Sequence, residues 1–152
     1  MIISPDHFLM TPEGQYHWTK ERVAQAWEES TQKFKAALAS GEFDRVVLLM
    51  GAPGSGKSTW LEKNQKPGIL FFDAVFKDWK VRAPYLRLAW DAGYYPEVVW
   101  VRTPLEVCLE RNALRSQDRK VPEETLRGMW ETIEKSPPNP GQEGFRLIMA
   151  RS

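Results

Sequence analysis

A single cysteine, Cys108, means that no disulfide can close within this chain. That scarcity suits a reducing compartment. Cys108 lies in the apolar-periodic stretch Leu105-Glu106-Val107-Cys108-Leu109 and is expected as a core thiol rather than a nucleophile. Only two histidines are present, His7 and His17, with no partner set at metal-ligand spacing, which argues against a zinc site. Charge of one sign is missing too: 21 Lys and Arg face 20 Asp and Glu, a net of +1. A protein that coats nucleic acid would be far more basic, although a local basic groove is compatible with this balance. Long apolar runs, a signal peptide and internal repeats are all lacking, so the expected location is cytoplasmic, with no membrane partner. What is left is 152 residues of ordinary globular composition, 42% hydrophobic and 27% charged. That suffices for one domain over residues 1–152 with a real core.

Against that plain background, Gly51-Ala52-Pro53-Gly54-Ser55-Gly56-Lys57-Ser58, followed by Thr59, stands out. It matches G-x-x-x-x-G-K-[ST], the phosphate-binding P-loop. Gly51, Gly54 and Gly56 allow backbone conformations closed to residues with a Cβ, so successive N–H groups can point inward as a cradle for phosphate oxygens. Lys57 supplies charge to the terminal phosphates, the Ser58 hydroxyl can hold Mg²⁺, and a helix opening at Lys57 adds its positive dipole end. ATP and Mg²⁺ are therefore the expected ligands. The run Arg45–Met50 just before the loop reads as a buried strand.

The rest alternates in the same way. Thr19 opens a helix with the stripe Val23, Trp27, Phe34, Leu38 and a stop at Gly41. The P-loop helix runs to about Asn64, Ile69–Phe72 is a short buried strand, and a helix is expected from about Ala83 to Ala92. Val98–Val101 is a further strand, Leu105–Leu114 is helical, and a helix from Pro122 to Lys135 ends at the proline-rich 136–141. Met1–Ile3 and Phe145–Met149 supply strands at either end, and Thr11–Gln15 reads as a loop. Strands alternating with helices predict an α/β fold with a parallel sheet covered on both faces.

The P-loop together with Arg111-Asn112-Ala113-Leu114-Arg115, Val121-Pro122 and Leu126-Arg127-Gly128-Met129-Trp130 resembles the polynucleotide 5′-kinase family and related small zeta-toxin-like P-loop kinases. There R-N-x-x-R, then V-P, then a helix carrying Met form a lid. The spacing of Arg111 and Arg115 puts both on one helix face. The resemblance implies that Arg115 reaches the transferring phosphate and that Arg111 helps hold the nucleotide. It also implies a three-layer P-loop kinase domain with a five-stranded parallel sheet and a helical arginine lid over residues 105–135. The family's acceptor motif, I-S-x-D-D, does not follow Ser58. Ile2-Ile3-Ser4-Pro5-Asp6-His7-Phe8 stands at the N-terminus instead. The segment order is accordingly expected to be rearranged, with an acceptor strand and helix over 1–44 ahead of the P-loop strand and helix over 45–64.

On this view Asp6 is the candidate general base, the alternative being a turn cap set up by Pro5. Asp73, at the end of a strand, is a candidate for Mg²⁺ or for a loop cap. The family's second acidic residue and end-gripping arginine are missing, since His7, Phe8, Leu9 and Met10 follow Asp6. The D-x-T-N motif reads Asp73-Ala74-Val75-Phe76. Trp27, Trp60, Trp90 and Trp100 are expected in the core. Trp18 and Trp79, with Tyr16, Phe8 and Phe76, are candidates for a base-stacking wall, and His7 for a substrate contact. Lys77, Lys80, Arg82 and Arg87 read as a solvated helix face or as a phosphate-contacting patch, with Arg82 the named candidate. The expected function is ATP-dependent phosphoryl transfer to a nucleic-acid hydroxyl, DNA more than RNA, either a 5′ end or a hydroxymethylated base such as hydroxymethyluracil in phage DNA. The alternatives are a nucleoside or other small-molecule kinase and, from another class, an ATP-binding switch.

Overall fold

The computed structural model describes residues 1–10, 13 and 19–151. Tyr16, His17, Trp18 and most of the loop expected over Thr11–Gln15 lie outside the described residues. Five strands form one sheet: β1 (Ile2–Ile3), β2 (Arg45–Met50), β3 (Ile69–Asp73), β4 (Glu97–Val101) and β5 (Arg146–Ala150). Their order is β1-β3-β2-β4-β5, and each neighbouring pair is parallel. The strand feeding the P-loop therefore sits at the centre, and the strand that precedes it in the chain sits at the edge. Ile3 pairs with Phe72, and Asp73 with Leu49, so residues after Ile3, Asp73 and Met50 all emerge along one carboxyl edge.

Alternation along the strands divides the apolar residues between two faces. Val46, Leu48, Leu70, Phe72, Val98 and Trp100 meet α1 (Lys20–Ser40), α3 (Trp79–Asp91) and α5 (Glu123–Lys135) through Phe34, Leu38, Tyr85, Leu86, Leu126 and Ile133. On the other face Val47, Leu49, Phe71, Val99 and Val101 meet α2 (Lys57–Asn64) through Leu61 and Trp60. The domain is thus a three-layer α/β fold of the P-loop kinase type. No helix among the described residues is long and apolar enough to cross a membrane.

Helix ends follow local chemistry. Thr19 Oγ1 accepts from Arg22 N at 3.2 Å, and Gly41, at φ 70°, closes α1 where a left-handed residue is required. The α3 helix begins at Trp79, four residues before the expected start. Asp78 Oδ1 caps it by accepting from Val81 N at 3.0 Å, and Pro84 is accommodated inside the helix. The proline-rich stop after Lys135 also holds a one-turn helix, α6 (Pro140–Glu143), capped by Asn139. Of the four tryptophans expected in the core, Trp90 departs. It is 49% exposed because it falls on the outer face of α3.

Candidate nucleotide-binding site

Between β2 and α2 the chain turns on two left-handed glycines, Gly54 at φ 79° and Gly56 at φ 99°, and the helix opens at Lys57. Gly54 is also a point of close approach: a Cβ there would lie 2.7 Å from the Cys108 carbonyl oxygen on α4 (Leu105–Ala113). A Cβ on Gly51 would lie 2.6 Å from Ser55 Oγ and 2.8 Å from the Val101 carbonyl oxygen. The loop is held from beneath by Thr103, whose Oγ1 donates to the Ser55 carbonyl at 2.6 Å, while Ser55 N donates to the Ala52 carbonyl at 3.0 Å. Pro53 and Gly56 are half-buried, and Ser58 and Thr59 are exposed on the first turn of α2.

Lys57 Nζ lies 3.3 Å from Asp73 Oδ1, so the ends of β2's loop and of β3 are joined by an ion pair. Asp73 Oδ1 is buried and makes no hydrogen bond, so the Lys57 ammonium is what offsets its charge. The set fits a Mg²⁺-nucleotide. It offers a cradle that only glycines permit, a hydroxyl at a helix N-terminus, and an ammonium paired with a carboxylate that a cation and phosphates could share between them. Among the described residues no cluster of three or more His, Cys, Asp or Glu stands by as a metal cage. A cation here would lean on phosphate oxygens.

The α4 helix is docked on this loop. Arg111 Nη1 donates to the Gly54 carbonyl at 3.3 Å. Arg115 follows just beyond α4 and is exposed. Burial pushes the Cys108 thiol above its ordinary pKa, and Arg111 and Arg115 oppose that, so both guanidinium groups act electrostatically at the base of the loop. Two features here escaped the sequence reading. Asn112, buried in α4, donates to the Val121 carbonyl at 2.7 Å and accepts from Val121 N at 3.0 Å, which pins both ends of the exposed 114–120 loop. Trp130 Nε1 donates to the Thr103 carbonyl at 2.9 Å and so fastens α5 to the same support. Asn112 sits inside the R-N-x-x-R motif, and a buried amide between two arginines was the available signal.

The remaining candidates fall in different surroundings. Asp6 and His7 lie in a single 3-10 turn, Pro5–Phe8, directly after β1, and both are exposed. They stand on the carboxyl edge of the sheet, two strands from β2. Trp79 is 55% exposed at the start of α3. Trp18 and Tyr16 lie outside the described residues. Arg82 is corrected. It is fully buried, with Nε 2.9 Å from Glu143 Oε1 and further hydrogen bonds to the Phe76 and Ser136 carbonyls, so it braces α3 and cannot contact a substrate phosphate. Phe76 is corrected as well. It is 1% exposed and packs among Trp27, Phe72 and Tyr85 at centroid distances of 5.5 to 6.0 Å, so it offers no stacking face.

A family model described as an AAA domain matches residues 63–136, just under half of the chain. The chain is similar to P-loop, kinase-like proteins. The match runs from the last turn of α2 through β3, α3, β4 and α4 to the end of α5. It includes Arg111 and Arg115 and stops short of residues 1–44. No curated protein matches the chain.

Proposed function

We propose that this protein transfers the γ-phosphate of ATP to a hydroxyl group on a nucleic acid, with DNA favoured over RNA. One observation carries the choice of transfer over switching: the lid is connected to both sides of the sheet's carboxyl edge. Its helix donates Arg111 to the Gly54 carbonyl, and its loop carries Arg119, whose Nη2 is 3.3 Å from Met10 Sδ, three residues past His7. A switch that only hydrolyses ATP has no use for a lid spanning a second segment. The edge position of β1 supports the rearranged order, in which 1–44 is the acceptor strand and helix, 45–64 the donor strand and helix, and 105–135 the lid.

Lys57 and loop amides such as those of Gly54 and Gly56 hold the β- and γ-phosphates, with Arg111 and Thr59 at the nucleotide's flank. Ser58 and Asp73 would hold Mg²⁺, which when bound offsets negative charge on the phosphates. Asp6 accepts the acceptor's proton as its oxygen bonds to phosphorus and the bond to ADP breaks. Arg115 draws charge from the transferred group, an effect of about 10³–10⁵ in rate for arginines so used. His7 touches the acceptor. A 5′-hydroxyl end and a hydroxymethylated base are both consistent with an acceptor turn that lacks an end-gripping arginine.

Radiolabelled ATP offered with 5′-hydroxyl DNA, 5′-hydroxyl RNA, hydroxymethyluracil DNA and free nucleosides tests this directly. Label is expected on a polynucleotide. Label on nucleosides alone would replace the acceptor, and hydrolysis with no labelled product would indicate a switch. Asp6→Ala is expected to slow transfer about 10²–10⁴-fold with ATP affinity nearly intact. Lys57→Ala is expected to weaken both.

A further inference from the structure

Away from the P-loop, α3 presents a stripe at helical spacing, Trp79, Ala83, Leu86, Arg87 and Trp90, to the segment that follows α5. Between them lies a groove of about 830 Å³, with Lys135 on its opposite wall. Its two tryptophans differ from ordinary surface aromatics. Trp90 is 49% exposed, yet its Nε1 donates to the Gly144 carbonyl at 2.6 Å, and a Cβ on Gly144 would lie 2.8 Å from the ring. The ring is held in place with a face open. Tyr95 leans on it at 5.8 Å, and Trp79, 55% exposed, stands at the other end of the stripe. No core contact explains why two tryptophans should be left exposed along one groove.

We infer that this groove holds a single strand of nucleic acid, its bases stacked on Trp79 and Trp90 and its phosphates met by Arg87 and Lys135. The charge account favours an anionic occupant. Of the two carboxylates in the lining, Glu143 is already neutralised by the buried Arg82, so the two cations are offset by Asp91 alone. The helix sets the length: eleven residues at 1.5 Å rise separate the rings by about 16 Å. That spans about five nucleotides at ~3.4 Å per charge. It also sets the direction. The α3 helix leaves the carboxyl edge just after Asp73, so Trp79 lies at the catalytic end and Trp90 at the far end. A strand lying in the groove is led toward Asp6 and the P-loop. The choice of nucleic acid as occupant rests on the proposed transfer reaction, whereas the fixed rings and the charge balance do not.

The test is fluorescence anisotropy of a 5′-fluorescein oligothymidylate of roughly 16 nucleotides, without ATP. This probe has neither a free 5′-hydroxyl nor a hydroxymethyl base, so it reads the groove and not the reaction. Trp79→Ala, an exposed change, is expected to weaken binding between about 5-fold and 150-fold, the usual range for one lost stacking platform. Arg87→Glu with Lys135→Glu should reduce the salt slope by about 1.4, given ~0.7 per phosphate contact on single strands. Circular dichroism confirms that each variant is folded. Wild-type affinity in these folded variants overturns the inference. So does a wild-type protein that ignores the oligonucleotide but self-associates, or takes an apolar peptide, through this face. Oligonucleotide binding without phosphoryl transfer would instead overturn the proposed function and leave the groove standing.

Discussion

Between Gly51 and Lys57 the chain is held at its backbone: left-handed glycines, the Cys108 carbonyl close against Gly54, a hydroxyl from Thr103 and a guanidinium from Arg111. Between Ser4 and Met10 it is a single 3-10 turn on a two-residue edge strand, with Asp6 and His7 facing solvent. Both segments stand on the same edge of the same sheet. A phosphate cradle must be preformed because its donors are amides whose directions are set by dihedral angles. An acceptor turn works through side chains, which need only the right address. On the proposed roles, substitution in the P-loop should cost stability, whereas substitution in the Pro5–Phe8 turn should cost only activity.

The greatest strain on that contrast comes from Arg82→Ala. Removing it leaves the Glu143 carboxylate without a cation, held only by Asn139 N, and the Phe76 and Ser136 carbonyls without that donor; breaking such a buried pair costs about 3–5 kcal/mol. Chemical denaturation should record that loss, while the folded fraction keeps its nucleotide affinity. Arg82→Met, which keeps bulk without charge, should remain destabilised, since Glu143 stays unpaired. Asp6→Ala, being exposed, should shift stability by less than ~0.5 kcal/mol. If Arg82→Ala lost transfer but not stability, Arg82 would return to the substrate side.

Gly54→Ala tests the donor side from within. A non-glycine residue in the left-handed region costs roughly 1–2 kcal/mol, and here the new Cβ also meets a backbone oxygen at 2.7 Å. A drop in melting temperature should be accompanied by loss of ATP-induced stabilisation. The same change at Gly41, which also has positive φ but no atom within 4 Å of its Cβ, should cost only the dihedral term and leave ATP binding unchanged.

How far each region was legible follows from the same physics. The P-loop, its strand and its helix were readable because phosphate binding demands glycines and a lysine at fixed offsets. Thr19, Gly41 and Pro122 marked helix ends because caps are local chemistry. Arg82 was misassigned although a signal was present: with Tyr85 and Ala89 it shares a helical stripe that faces inward. The run of neighbouring cations hid that periodicity. Trp90 shows the converse. Its stripe has the spacing of a core face, and only the path of residues 135–144 decides that the stripe borders a groove. The partnership of Arg119 with Met10 joins positions 109 residues apart, a separation at which no local pattern exists.

The smallest expected effect reports how closed the donor side is. Cys108 is completely buried beneath Gly54, and burial raises its thiol pKa. A folded pKa above the unfolded one means that the thiol's contribution to stability is fully present below about pH 8.5. It is lost as pH rises through the folded value. Stability measured across that window should therefore fall more steeply for the wild type than for Cys108→Ser, with Tyr85, also raised by burial, adding a slope common to both at higher pH. At neutral pH the thiol should react slowly with a disulfide reagent and more slowly still when ATP closes the lid. Arg111→Ala removes both an opposing charge and the Gly54 latch, so its two effects on labelling have opposite signs. Faster labelling would mean that the latch governs access, whereas slower labelling would mean that the lost charge, by raising the thiol pKa further, outweighs it.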